Sequence, residues 1–158
     1  MVSPDGGPWT DWLPGTTATS ADYPGIGGHT YAFRSRARDA VYNIEPWPAG
    51  ADTTTTVEAL PPDTAVDMLP EYTRGDILWV RWGGEDPGGS GIVSYDVEYQ
   101  DLAQGIWIPW QSGTTATGDY FPGTLGHRYA FRCQAVDAAA NLEPWPASAT
   151  GDTATTLY

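Results

Sequence analysis

Arg34, Arg36 and Arg38 occupy alternate positions, and Trp47 follows after a loop. Alternation puts three guanidinium groups on one face of a strand. A loop that returns Trp47 over that face stacks cations on an indole, at about 0.5–2 kcal/mol per contact. Farther along, Arg132 and Trp145 hold matching places, while Gln134 and Val136 stand where two more arginines would be. Two uses fit this pattern. One is a brace for the loop, and the other is a flat aromatic platform on which pyranose rings stack. A proline on each side of each tryptophan (Pro46 and Pro48, Pro144 and Pro146) fixes the ring for either use.

A second chemistry is offered by side-chain oxygens in loops: Glu85 and Asp86, then Asp137, Asn141 and Glu143. Asp39, Asn43 and Glu45 repeat the latter trio. Calcium takes roughly six to eight oxygen ligands, but the spacing is not that of an EF-hand, and Asp and Asn in turns also cap their own backbone. Nucleophilic chemistry is poorly supplied. The single cysteine, Cys133, falls on the inward set of its strand, as a small core thiol would. His29 and His127 each stand at a Gly-rich corner as turn residues, with no second His or Cys for a metal site. Ser90 lies in a GGSG loop without a partnering base. No set of acid, base and nucleophile converges, so catalysis is not expected.

The elements that position these residues are duplicated. Residues 29–48, HTYAFRSRARDAVYNIEPWP, match residues 127–146, HRYAFRCQAVDAAANLEPWP. Over 9–48 against 107–146, 23 of 40 positions are identical at an offset of 98, a period suited to a small domain rather than a solenoid repeat. Each copy opens on period-2 alternation, predicting a strand buried on one face. Residues 1–8 read as turns. Ile77–Trp82 and Ile92–Tyr99 read as strands, Asp63–Tyr72 as an irregular edge, and Pro61-Pro62 as a stiff join. With no helical period, the chain is all-β, and the second module is an antiparallel sandwich of about seven strands.

Composition narrows the partners. Twenty acidic residues face seven basic ones, all arginine, for a net charge of −13. Nucleic acid and anionic lipid both need a basic face and are excluded. No stretch approaches the roughly 18–20 apolar residues that span a bilayer. Residues 1–12 show no secretory signal pattern. The absence of lysine excludes a Lys–Asn crosslink.

The strand Leu78-Trp79-Val80-Arg81-Trp82, the GGSGI turn before Tyr95, the corner Pro122-Gly123 before Tyr129 and the run Ala135-x-Asp137-x-x-x-Asn141 together resemble the fibronectin type III family in its bacterial extracellular form. The resemblance covers residues 59–158 as a complete immunoglobulin-like module and 1–58 as only the C-terminal half of one. It implies that the loop of Glu85 and Asp86 lies at the same end as that of Asp137, Asn141 and Glu143. Calcium is the one cofactor this arrangement suggests. The arginines and tryptophans look like the ladder of cytokine-receptor type III modules, and Tyr31 and Tyr129 like the corner tyrosine of sandwich folds.

A half-sandwich exposes an apolar face and unpaired edges. The expectation is therefore a non-catalytic structural or interaction module of a secreted or surface repeat protein. It would assemble as filament, stalk or adhesin by completing the half-module with other copies or neighbouring modules. The alternative is a polysaccharide-binding or spacer module appended to an extracellular carbohydrate-active enzyme.

Overall fold

A computed structural model describes the whole chain, Met1 to Tyr158. It is all-β with antiparallel sheets that do not close into barrels. Two compact units, Met1–Leu60 and Pro61–Tyr158, divide two residues past the expected 58/59 boundary.

The first unit is one three-stranded sheet in the order β1 (Val2–Pro4), β2 (Thr30–Phe33), β3 (Thr53–Thr56). The expectation that residues 1–8 hold no strand is corrected. Val2 pairs with Phe33 and Pro4 with Tyr31. The turn that follows has Asp5 and Gly6 at positive φ (48° and 70°). It brings Thr10 back to exchange backbone hydrogen bonds with Val2 at 3.0 and 2.8 Å, so β1 is held from both sides. The predicted strand through Arg38 is also shortened: β2 ends at Phe33. Met1 and Arg34 make the last ladder contacts, at 2.8 and 3.2 Å, and only an isolated Arg38–Ile44 bridge follows. Alternation alone does not make a strand where no neighbouring strand pairs with it; here the Ser35 and Ala37 N–H groups go to the Asp52 and Glu45 carboxylates instead.

The second unit is a sandwich. One sheet has the order β4 (Asp63–Val66), β6 (Ile77–Glu85), β9 (Gly118–Pro122). The other runs β5 (Tyr72–Thr73), β11 (Thr153–Leu157), β10 (Arg128–Asp137), β7 (Ile92–Asp101), β8 (Ile106–Thr114). Every pairing is antiparallel except β5 with β11. The segment 63–72, expected to be irregular, instead supplies β4 to one sheet, with β5 following in the other. Pro70 lies in the break, where a missing N–H ends pairing.

Alternation sets the core. Leu78, Val80 and Trp82 of β6 point inward while Ile77 and Trp79 face solvent. They pack with Val66 and Phe121 against Val97, Tyr129, Phe131, Cys133 and Leu157 of the facing sheet. Each large apolar side chain contributes about 1.5–3 kcal/mol by leaving water. The corner before β10 is tied by the Tyr129 hydroxyl, which accepts the Thr124 N–H at 3.1 Å. Tyr31 does the same with the Ile26 N–H at 2.9 Å. A Cβ at Gly123 would sit 2.3 Å from Leu157 Cδ1 and 2.9 Å from the Tyr129 ring, so only glycine lets this corner lie on the core.

Candidate functional site

The arginine–tryptophan pattern forms in both units. The Arg34 guanidinium lies 4.2 Å from the Trp9 ring and 4.9 Å from Trp47. Arg36 lies 4.2 Å from Trp47, and Arg38 lies 5.2 Å from Tyr42. Arg132 is sandwiched between Trp107 at 4.3 Å and Trp145 at 4.6 Å. Each lead arginine thus has a tryptophan on either side. The sequence reading found one ring of each sandwich and missed the other. Trp9 and Trp107 are paired by the 98-residue offset, and that was the available signal.

The two sandwiches differ in one respect. Arg132 Nε and Nη2 donate to Glu98 Oε2 at 2.9 and 2.6 Å. Arg34 meets Met1 in that place, with Nη2 3.5 Å from Met1 Sδ, and its buried Nε has no hydrogen-bond partner. Gln134 donates to Asp96 at 3.2 Å, so in the second unit a hydrogen bond to β7 stands in place of the Arg36 rung, and Val136 has no polar group to replace Arg38.

The acidic loop residues separate into two groups. Asp86 and Asp137 carry carboxylate oxygens within 4.8 Å of each other. Asp86 accepts the Gly91 N–H at 2.7 Å. Asp137 accepts the Asn141 N–H and the Asn141 side-chain amide, both at 2.8 Å. Partial burial pushes the Asp137 carboxyl up, and the Asn141 and Ala139 hydrogen bonds more than offset this, leaving it below the usual carboxylate value. Asp39 is lowered in the same manner, chiefly by the Asn43 side chain. Glu85 ends β6, exposed, with its backbone opposite Asp63. Glu143 is not on the loop surface. It is buried, and its carboxylate accepts the Thr64 N–H at 2.7 Å, the Thr64 hydroxyl, and the Ala135 N–H at 3.0 Å. Its oxygens hold β4 to the core, which removes it from any surface set that calcium would use.

The remaining candidates hold structural positions. His127 Nδ1 lies 2.7 Å from Asp101, and His29 Nδ1 lies 2.7 Å from Asp5. Cys133 is fully buried, and burial pushes its thiol up to about 12. Sequence reasoning also missed an outward aromatic pair. Trp79 and Tyr120, 47% and 65% exposed, meet edge to face at 4.7 Å on the solvent side of β6 and β9.

The feature with the greatest capacity for interaction is the open face of the first unit. Trp12, Tyr23, Tyr31 and Phe33 form an aromatic quartet with ring centroids 5.1–5.5 Å apart. Trp110, Phe121, Tyr129 and Phe131 repeat it in the second unit at 5.0–6.0 Å. There, β4 and β6 cover the quartet with Val66, Leu78, Val80 and Trp82, and Phe131 is 0% exposed. The first unit has no such sheet. Phe33 is half-buried, Ser35 (the counterpart of Cys133) is exposed, and residues 11–21 run irregularly beside the face. A cleft of about 540 Å³ opens between them, lined by Trp12, Leu13, Phe33, Arg36, Trp47 and Asp52. No family model matches the chain.

Proposed function

We propose that the chain is a non-catalytic interaction module of a fibronectin type III-like repeat protein, acting at the cell surface or outside the cell. In this reading the first unit associates with strands from another copy or a neighbouring module, which complete its half-sandwich. The observation that carries it is the duplicated aromatic quartet, enclosed by a second sheet in one unit and lacking that sheet in the other, where Tyr31 is buried but Trp12, Tyr23 and Phe33 are only half-buried. Trp12, Tyr23 and Phe33 are already half-buried, so covering them gains only a fraction of the about 1.5–3 kcal/mol that full burial of an exposed ring contributes. An open apolar face of this kind marks an interaction surface. The acidic, lysine-free surface suits a soluble extracellular array. The test is to place a charge on the face: Phe33→Asp abolishes association of the full chain, and the matched surface change Thr17→Asp leaves it intact. Association unaffected by Phe33→Asp contradicts the reading.

A second reading, polysaccharide binding, draws on the exposed Trp79–Tyr120 pair. The ladder tryptophans each have a ring face against a guanidinium, so Trp79 is the better platform. Quenching of tryptophan fluorescence by polysaccharides, lost on Trp79→Ala and kept on Trp47→Ala, supports it. No response across common glycans refutes it.

A further inference from the structure

The second unit displays how a first strand is captured, and the first unit keeps the capturing groups. In the second unit Glu143 accepts the Thr64 N–H and hydroxyl. Asp152 accepts the Val66 N–H at 2.9 Å and the Cys133 N–H at 3.0 Å. Thr153 Oγ1 accepts the Leu69 N–H at 2.8 Å. Glu143 and Asp152 hold β4 to the opposite sheet by its backbone, and Thr153 holds the segment that follows it.

Backbone pairing aligns the first unit residue for residue with this arrangement. Asp52 N–H donates to Phe33 O at 2.8 Å, as Asp152 N–H donates to Phe131 O at 2.9 Å. Asp52 Oδ2 accepts the Ser35 N–H at 2.7 Å, the counterpart of the Asp152–Cys133 bond. Glu45 Oε2 accepts the Ala37 N–H at 3.1 Å, the counterpart of the Glu143–Ala135 bond. Thr53 follows Asp52 as Thr153 follows Asp152. Glu45 and Asp52 therefore keep the half of the network that belongs to their own sheet, and Thr53 holds the place of Thr153. The half that binds a covering strand is also present in type and position, beside the open quartet, and that strand is missing. A carboxylate accepts more than one hydrogen bond through its two oxygens, so both acids retain capacity for a strand N–H.

We infer that Glu45, Asp52 and Thr53 form a strand-capture site. Its ligand is an extended two-stranded ribbon with the chemistry of residues 63–85. The first strand carries a hydroxyl residue, one spacer and a small apolar residue, as in Thr64-Ala65-Val66, and the second alternates apolar side chains, as in Leu78, Val80 and Trp82. The hydroxyl residue lies over Ser35, because Thr64 Oγ1 lies 3.4 Å from Cys133 Sγ in the enclosed unit. The inference rests on the proposed completion of the first unit and specifies its partner and register.

The experiment uses the full chain carrying Ser35→Cys and Cys133→Ser, with a synthetic peptide of residues 61–85 as the probe. The peptide with Thr64→Cys forms a disulfide adduct with the chain under mild oxidation. The peptide with Ala65→Cys, whose side chain points away, does not. Binding of the unmodified peptide, read by fluorescence anisotropy, weakens about tenfold or more on Glu45→Ala with Asp52→Ala, the least expected from losing one hydrogen bond to a charged group. The second unit of this variant chain carries no cysteine, so exchange of the peptide into it gives no adduct, which separates capture by the first unit from exchange into the second. No adduct, an equal adduct from both peptides, or binding insensitive to Glu45 and Asp52 overturns the inference. If the chain self-associates through Phe33 and yet gives no adduct, the interaction module stands and the captured ribbon does not. If the adduct forms and the chain alone stays monomeric, capture holds and self-association does not.

Discussion

Replacing Glu143 by alanine tests whether this buried acid holds the sandwich together. The carboxylate accepts the Thr64 N–H, the Thr64 hydroxyl and the Ala135 N–H. Truncation leaves two buried backbone donors unpaired, each costing about 1–3 kcal/mol. The hydroxyl can turn toward Cys133 Sγ, 3.4 Å away, which limits the loss there. The expected destabilisation is about 3–5 kcal/mol, a large share of the roughly 5–15 kcal/mol that holds a domain folded. Glu143→Gln keeps the shape and one acceptor oxygen but points an amide at a donor, for about 2 kcal/mol. Glu45→Ala removes only the solvent-exposed bond to Ala37 and costs under about 1 kcal/mol. Cys133 gives a readout confined to the second unit, because it is the only cysteine and is fully buried. Thiol labelling across a urea series reports opening of that unit alone. If Glu143→Ala stays within about 0.5 kcal/mol of the parent, or matches Glu45→Ala, the anchoring role is refuted.

Three further outcomes follow from the geometry. Arg132→Ala destabilises the second unit by about 2–3 kcal/mol, since it removes the charge-assisted bonds to Glu98 and both stacked rings. Arg132→Lys recovers less than half, and urea denaturation measures both. The Cys133 thiol, raised to about 12 by burial, stays unreactive toward a disulfide reagent in the folded chain at pH 8 and reacts at once in denaturant. Asp101 is held below its ordinary 3.8, chiefly by the His127 hydrogen bond. A lowered folded value contributes stability that is complete above the ordinary carboxylate value and fades as pH falls through the lowered one. Acid unfolding of the second unit, followed by near-UV circular dichroism, therefore begins below about pH 4, and Asp101→Asn flattens that limb.

Much of the second unit was legible in the sequence because its signals were local. Alternation in Ile77–Trp82 and Tyr129–Ala135 and the Pro-Gly corner report on neighbouring residues, and the duplication of 9–48 in 107–146 is visible by direct comparison of the two stretches. Long-range features were hidden. Glu143 reads as a loop acid in a run with Asp137 and Asn141, and only the fold reveals Thr64, 79 positions away, as its partner. The strand at Val2–Pro4 was illegible because it has no alternation of its own and exists through pairing with β2. The opposite error arose at Arg34–Arg38, where alternation was real but no adjacent strand supports it. The outer rings of the arginine sandwiches, Trp9 and Trp107, lie 25 residues before their arginines, beyond any local pattern.

The most direct test of the central claim is the solution mass of the full chain by multi-angle light scattering over a concentration series, beside Phe33→Asp. Completion between chains predicts a mass above 17.0 kDa that rises with concentration and returns to the single-chain value in the variant. A mass that stays at 17.0 kDa throughout, or an increase that Phe33→Asp leaves untouched, contradicts assembly through the open face.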